Sequence, residues 1–488
     1  MDAPQSSTTR LTTRRYPPPD RETLARATLT YCLDGADAIM VAALKGAGSG
    51  TETLRLIIES RPGNGGATAG TARRELDHKF AAGLAKWGGR VTPQAMKAFH
   101  KTLAGWHARL ATLPTLDWES LVDWFTMDGE QWIISPTSPC WPHQLQDLST
   151  RRNWASPLCL WGIGDMRALT SCAKPVAVVG SRGATDYGRR VAREVAMRAA
   201  ASGHLVVSGG ALGSDAAAHW GALAAMDERT WRDGAGADTG ESEGDACGVE
   251  GVGRTVAVFA GGLNHIGPST NLLLFERMVE QGGALISELC PGTIPEARRF
   301  LLRNRIIAAL ASTTVVVQAR LRSGALSTAN WANDLNREVI AVPGPITMPH
   351  NAGCNRLIAD HQAMLLVSVE EIDELLHPAH RPELDSGAET GTETRFGGAV
   401  GDDGPESDDA LTDFQQAVLT AIRSCRRRHM PATWDALLTR LREDDPDIDM
   451  PRLLAELGEL ETRGIVRYEQ GEASIISGTE RQSERDNE

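Results

Sequence analysis

No stretch of the 488-residue chain is apolar for the length that a membrane-spanning helix needs. The opening MDAPQSSTTRLTTRRYPPPD is polar and Pro-rich, without the apolar core of a secretory signal. A cytoplasmic location, with no membrane partner, is expected from both. None of the eight cysteines (32, 140, 159, 172, 247, 290, 354 and 425) sits in a CxxC pair, which speaks against a zinc ribbon or dithiol motif. In a reducing compartment such cysteines act as small apolar residues. P-loop, nucleophile elbow and HExxH are also missing, and there is no internal repeat. His265, His350 and His361 are isolated. Asp215 and His219 share a helix face but lack a third ligand nearby, so a structural hydrogen bond is expected there. Neither a metal nor a cofactor is expected.

A net charge of −13 looks wrong for a nucleic-acid binder, so its placement matters. Residues 227–250 carry eight acids against two arginines, and 377–410 carry nine against two, which accounts for the whole excess. The rest of the chain is neutral overall. Local clustering of basic residues is therefore the quantity to examine.

Hydrophobic content of 41% supports real cores, and the length suggests two or three domains. Residues 1–18 read as a disordered tail. Residues 19–130 read as a helical domain of the SAM or helix-hairpin-helix kind, with a long Gly/Thr-rich loop around 61–72. From 133 to 376, short β-branched runs alternate with helical segments, the signature of an α/β fold with a Rossmann-like parallel sheet core. The expected strands are 174–180, 204–209, 254–261, 283–289, 312–319 and 338–344, with a seventh possible at 363–367. Residues 227–253, acidic and Gly-rich, read as a disordered insertion, and 377–410 as an acidic linker. Residues 411–478 give three helical patterns and a hairpin, a C-terminal winged helix, and 479–488 a tail. Its candidate recognition helix, Met450–Arg463, is net negative and would be repelled by duplex DNA, which suggests protein contact instead.

In an open parallel sheet, ligands bind beyond the carboxyl ends of the strands. Here those ends are dense in small residues. The first runs into Gly180-Ser181-Arg182-Gly183, the second into Ser208-Gly209-Gly210, the third into Gly261-Gly262, and the fifth into Arg320-Leu321-Arg322-Ser323-Gly324. Glycines admit a ligand close to the backbone, helix starts offer unpaired N–H groups to anions, and arginine adds a forked donor. The spacing is not GxGxxG, and no acid ends the second strand to hold a ribose, which disfavours a nicotinamide cofactor. The densest cluster is Arg298-Arg299-Phe300-Leu301-Leu302-Arg303-Asn304-Arg305. Four arginines at a helix start oppose the helix dipole unless something negative lies near. An aromatic among them suits single-stranded nucleic acid, with arginines for phosphates and a ring for a base. Some of the run, including Asn304 and Arg305, is expected to be structural, with one or two arginines paired to Glu288 or Glu296.

Taken in order, these motifs resemble the DNA-processing protein A (Smf) family. The matching residues include Pro142-His143-Gln144-Leu145, Val178-Val179-Gly180-Ser181-Arg182, Ser208-Gly209 with Asp215 and His219, Ser287-Glu288, Arg303-Asn304-Arg305-Ile306-Ile307-Ala308, Ser323-Gly324-Ala325-Leu326 and Val342-Pro343-Gly344. Departures include Gly210 for a usual Leu, Gln318 for a usual Glu and Asn336 for a usual Gly. The resemblance implies a Rossmann-like domain that binds single-stranded DNA in a basic pocket without cleaving it. It further implies a homodimer through that domain and loading of the RecA recombinase, as in natural transformation. It places DNA contacts at Ser181, Arg182, Arg298, Arg299, Phe300, Ser323 and Gly324. The alternative is a related hydrolase of nucleoside monophosphates. Its Gly-rich loop carries a glutamate where Ala329 follows Ser323–Thr328 here, so a general acid or base is missing.

Overall fold

The computed structural model describes residues 15–33, 35–64, 66–150, 154–234 and 252–372. Further on it describes 413–427, 432–442, 448, 453, 456–457, 460, 465–469 and 472–475. Two compact units result, Met1–Ser386 and Gly387–Glu488. Among the described residues no helix is long and apolar enough to cross a membrane.

The first unit opens with six helices: α1 Arg21–Tyr31, α2 Ala38–Ala47, α3 Gly50–Glu59, α4 Gly66–Lys86, α5 Pro93–Leu110 and α6 Trp118–Thr126. Asp20, Asp37, Ser49, Thr92 and Asp117 cap five of them, each accepting a backbone N–H of the first turn. At the start of α3, Glu22 adds a second acceptor. Its carboxylate takes the Gly50 and Thr51 amides (2.7 and 2.9 Å) and is held by Arg26 at 2.7 Å. The helices share a core of Leu29, Met40, Leu56, Leu76, Phe99 and Leu103, in which Phe80 stacks on Phe99 at 4.2 Å.

Two expectations fail in this region. The Gly/Thr-rich loop is helical from Gly66, because Ala72, Leu76 and Phe80 form a buried i, i+4 stripe that carries the helix back through the weak formers. The expected tail is also ordered at its end. The Tyr16 hydroxyl accepts the Gly164 amide at 2.8 Å, and the Tyr16 N–H donates to Gly129 O at 2.9 Å.

A nine-stranded sheet follows, in the order β1-β2-β6-β5-β4-β3-β7-β8-β9. All seven expected strands are present as β3 Val176–Gly180, β4 Val206–Ser208, β5 Thr255–Phe259, β6 Ala284–Ser287, β7 Thr313–Gln318, β8 Glu338–Ala341 and β9 Met364–Leu365. They pair in parallel. The unforeseen strands are β1 Trp132–Ile134 and β2 Leu160–Gly164, which add an antiparallel edge to β6. Both are short, and the two glycines of LWGIG hide the second. Helices α7 Asp186–Ala201 and α8 Ser214–Gly234 cover one face through Val191, Val195 and Ala222. Helices α10 Ala297–Leu310, α11 Gly324–Asp334 and α12 Ala352–Ala359 cover the other through Ile306, Ala329 and Leu357, and α9 Leu272–Glu280 packs toward the helical bundle.

Helix α8 runs eight residues into the acidic segment expected to be an insertion from 227, and Val252 is already buried. The amide of Gly253 donates to Ala200 O at 2.8 Å, so the chain rejoins the fold before β5. The middle of that segment, the 377–410 linker and the 479–488 tail lie outside the described residues.

Past β3 the strand order reverses. The connection through α7 places β4 on one side, and the connection through α10 places β7 on the other. Buried Gln318 ties this point together. Its Oε1 accepts the Thr185 N–H at 2.8 Å and its Nε2 donates to Asn351 Oδ1 at 2.8 Å. The Asn351 amide in turn donates to Val317 O and Val342 O.

In the second unit, helices Asp413–Arg427 and Trp434–Leu441 and an antiparallel pair, β10 Val466–Glu469 with β11 Glu472–Ile475, are defined. Val418, Ile422, Leu437, Leu453, Leu457 and Leu460 share one core.

Asn336 closes α11 in the left-handed region at φ 56°. Asn tolerates that conformation better than other side-chain-bearing residues. Asn336→Val should lower stability by about 1–2 kcal/mol in urea unfolding, whereas Asn336→Gly should be neutral or slightly stabilising.

Candidate nucleic-acid interface

The strand ends at the reversal form two adjoining cavities of about 300 and 420 Å³. The smaller is mostly apolar, walled by Leu212, Phe259, Pro268, Pro295 and Phe300. The larger is more polar and includes Gly180, Asp215, Asn304, Ser323 and Gly324. Arg182, Phe300 and Arg303 border both.

Each wall has a local origin. After β3 the chain turns through Ser181 and Arg182 into α7, which Thr185 caps by accepting the Gly188 amide. The Ser181 hydroxyl accepts the Gly183 amide and its carbonyl accepts the Ser214 amide at 3.1 Å, so Ser181 holds the turn while Arg182 stays exposed. The guanidinium of Arg182 lies 4.4 Å from the Phe300 ring centroid, within cation–π range. Phe300 is half-buried in the first turn of α10, so it forms the partition between the cavities instead of joining the core.

Arg303, one turn further on, is only 6% exposed. Among the described residues it makes no hydrogen bond or ion pair, and its Nε is buried without a partner. Asp215 attracts it electrostatically, but burial outweighs that attraction and brings the guanidinium down to about 10. Burial likewise pushes the Asp215 carboxyl up, against the pull of Arg303. Gly209 makes this approach possible, since a Cβ there would sit 1.9 Å from Arg303 Nη1 and 2.6 Å from Asp215 Oδ2. A buried, forked cation without an acceptor, facing an open cavity, is an electrostatic sink for an anion.

Of the sequence-predicted residues, Gly180, Arg182, Gly209, Phe300, Arg303, Asn304, Ser323 and Gly324 converge on the cavities. Asn304 also donates to Gly324 O at 3.1 Å, and Ser323 caps α11 by accepting the Ala325 amide. Others stand apart. Ser208 is buried, its hydroxyl donating to Val178 O at 2.6 Å. Arg305 is buried in an ion pair with Glu288 at 2.5 Å, and Arg298 and Arg299 both pair with Glu296. The apolar wall (Leu212, Phe259, Pro268 and Pro295) has no sequence signal, because it consists of single apolar residues scattered over three loops and the end of β5. His265, read as isolated, borders the same cavity.

Asp215 and His219 do not bond to each other. The Thr255 hydroxyl donates to Val206 O at 3.0 Å and so accepts from His219 Nδ1 at 2.7 Å. That fixes the proton on Nδ1 and leaves Nε2 buried without a partner.

The family model for DNA recombination-mediator protein A matches residues 132–232 and 234–377, half of the chain. The chain belongs to this family. Among the relatives, the DNA processing protein DprA of Mycobacterium tuberculosis is 39% identical over 267 residues. That match covers 55% of this chain and 58% of the relative. The Bacillus subtilis DNA processing protein DprA is 33% identical over 244 residues, 50% of this chain and 70% of that protein. The chain thus spans under two thirds of the mycobacterial relative's length. A solved structure of DNA processing protein A from Helicobacter pylori, described for its single-stranded DNA binding mode, is 25% identical. It covers 51% of this chain and 98% of that one, with a TM-score of 0.41.

Burial holds His219 down to about 3, from an ordinary value of 6.5, with the charge of Arg303 adding to the effect. The unfolded chain then binds a proton that the folded chain refuses, so stability falls as pH drops from about 6.5 toward 3. Urea unfolding across that window should show this slope. It should flatten in His219→Gln, and an equally steep slope in that variant would assign it to other groups.

Proposed function

We propose that the carboxyl edge of the sheet binds single-stranded DNA without cleaving it. Phosphates sit against Arg182 and Arg303, and a base packs on Phe300 in the apolar cavity. The observation that carries this reading is Arg303, buried beside a cavity with no acceptor for its fork among the described residues. The neighbouring polar rim and aromatic partition match the two halves of a nucleotide, and stacking on a ring is indifferent to base identity. Asp215, the carboxylate of the site, is buried near Arg303 and attracts its guanidinium without pairing with it.

Membership of the recombination-mediator family supports the wider role: a cytoplasmic protein that protects single strands and delivers them to the RecA recombinase, acting as a homodimer through the sheet-bearing unit. The two helices and strand pair of the second unit support its reading as a winged helix that contacts protein.

Gel shift with single-stranded and duplex DNA over a salt series tests the reading. Single strands should bind more tightly, with affinity falling steeply as salt rises. Arg182→Ala should weaken binding by about 1.5–3 kcal/mol, the worth of a charged hydrogen bond, and Phe300→Leu by about 1–3 kcal/mol for one lost stack. Unchanged affinity in both variants, or tighter duplex binding, would refute it.

A further inference from the structure

In a chain of net charge −13, residues 61–110 hold nine arginines and lysines against two acids. These residues include α4, α5 and the hairpin between them. Clustered like charges cost stability unless acids are interleaved, and here the acids are already engaged. Glu75 lies 3.7 Å from Arg55, while Asp77 lies 2.8 Å from His100 and 3.7 Å from Arg73. Lys86, Arg90, Lys97 and Lys101 are exposed, as is Lys45 on α2, and none has a carboxylate partner among the described residues.

Their placement is ordered. Lys97 and Lys101 are one turn apart on α5. Lys86 Nζ donates to Lys45 O at 3.5 Å, and Lys45 Nζ sits 5.8 Å from the Trp87 ring centroid, which gathers two cations at the hairpin. Trp87 is anchored in turn, its Nε1 donating to Ser149 O at 2.7 Å. A fixed aromatic flanked by uncompensated lysines is a surface for a polyanion, with charges set on flexible stems that suit a phosphate backbone.

We infer that the α4–α5 face is a second DNA-contact surface, one that takes the phosphodiester backbone of a strand longer than the cavities hold. The inference rests on the nucleic-acid reading of the site above but uses none of its residues. The test compares single-stranded oligonucleotides of about six and about thirty nucleotides across a salt series. The proteins are the full chain and its triple variant Lys86→Gln, Lys97→Gln, Lys101→Gln, with Lys-to-Arg replacements as the charge-preserving control. Three lost phosphate contacts should reduce the salt slope for the long strand by about 2 and weaken its binding on the order of tenfold. Short-strand binding should stay as in the unaltered chain, and the arginine variant should behave like the unaltered chain. An unchanged slope and affinity for the long strand would overturn the inference, as would loss confined to binding of anionic phosphatidylglycerol vesicles. Failure of Arg182→Ala and Phe300→Leu to affect the short strand would instead count against the cavity reading, leaving the long-strand comparison to decide this face by itself.

Discussion

A single buried carboxamide holds the working edge of the sheet in register. Gln318 ends β7 at the point where strand order reverses, accepting from the β3–α7 turn and donating to Asn351, which in turn reaches the ends of β7 and β8. A buried polar group left unpaired costs about 1–3 kcal/mol, so a change at one member of this chain propagates to the others. The position of Arg182 depends on that turn, and the cavity floor depends on the spacing of β3 and β7. A glutamate here could accept from Thr185 but could not donate to Asn351 unless protonated.

The parallel core was legible because strands covered on both faces read as continuous Val and Ile runs, as in VAVV and TTVVV. The antiparallel edge was not. Trp132–Ile134 is too short for a period, and LWGIG carries glycines whose reason is tertiary, since a Cβ on Gly162 would overlap the Trp132 ring. The start of α4 misled for the opposite reason. Its local composition is that of a loop, and only the packing of Ala72, Leu76 and Phe80 against the other helices makes it helical.

The site shows the same division. Glycine-rich strand ends and an arginine-rich helix start mark the place, because backbone turns and repeated charge are sequence-local. The roles within the run are settled by helical phase, which composition does not show. Arg303 faces the cavity, Asn304 buttresses the α11 loop, and Arg305 turns inward to Glu288. Arg298 and Arg299 share Glu296 at the helix start, so the four arginines of the run do different jobs.

Glu22 has a bearing on how the helical bundle meets an anion. Its carboxylate already fills the start of α3, taking the Gly50 and Thr51 amides that a phosphate would otherwise find there. At this helix start the bundle carries its own resident anion. What remains on the α4–α5 face is a set of exposed lysine ammonium groups on long stems. Contacts of that kind attract a backbone without pinning it, so a strand lying there can slide lengthwise while its charge stays neutralised.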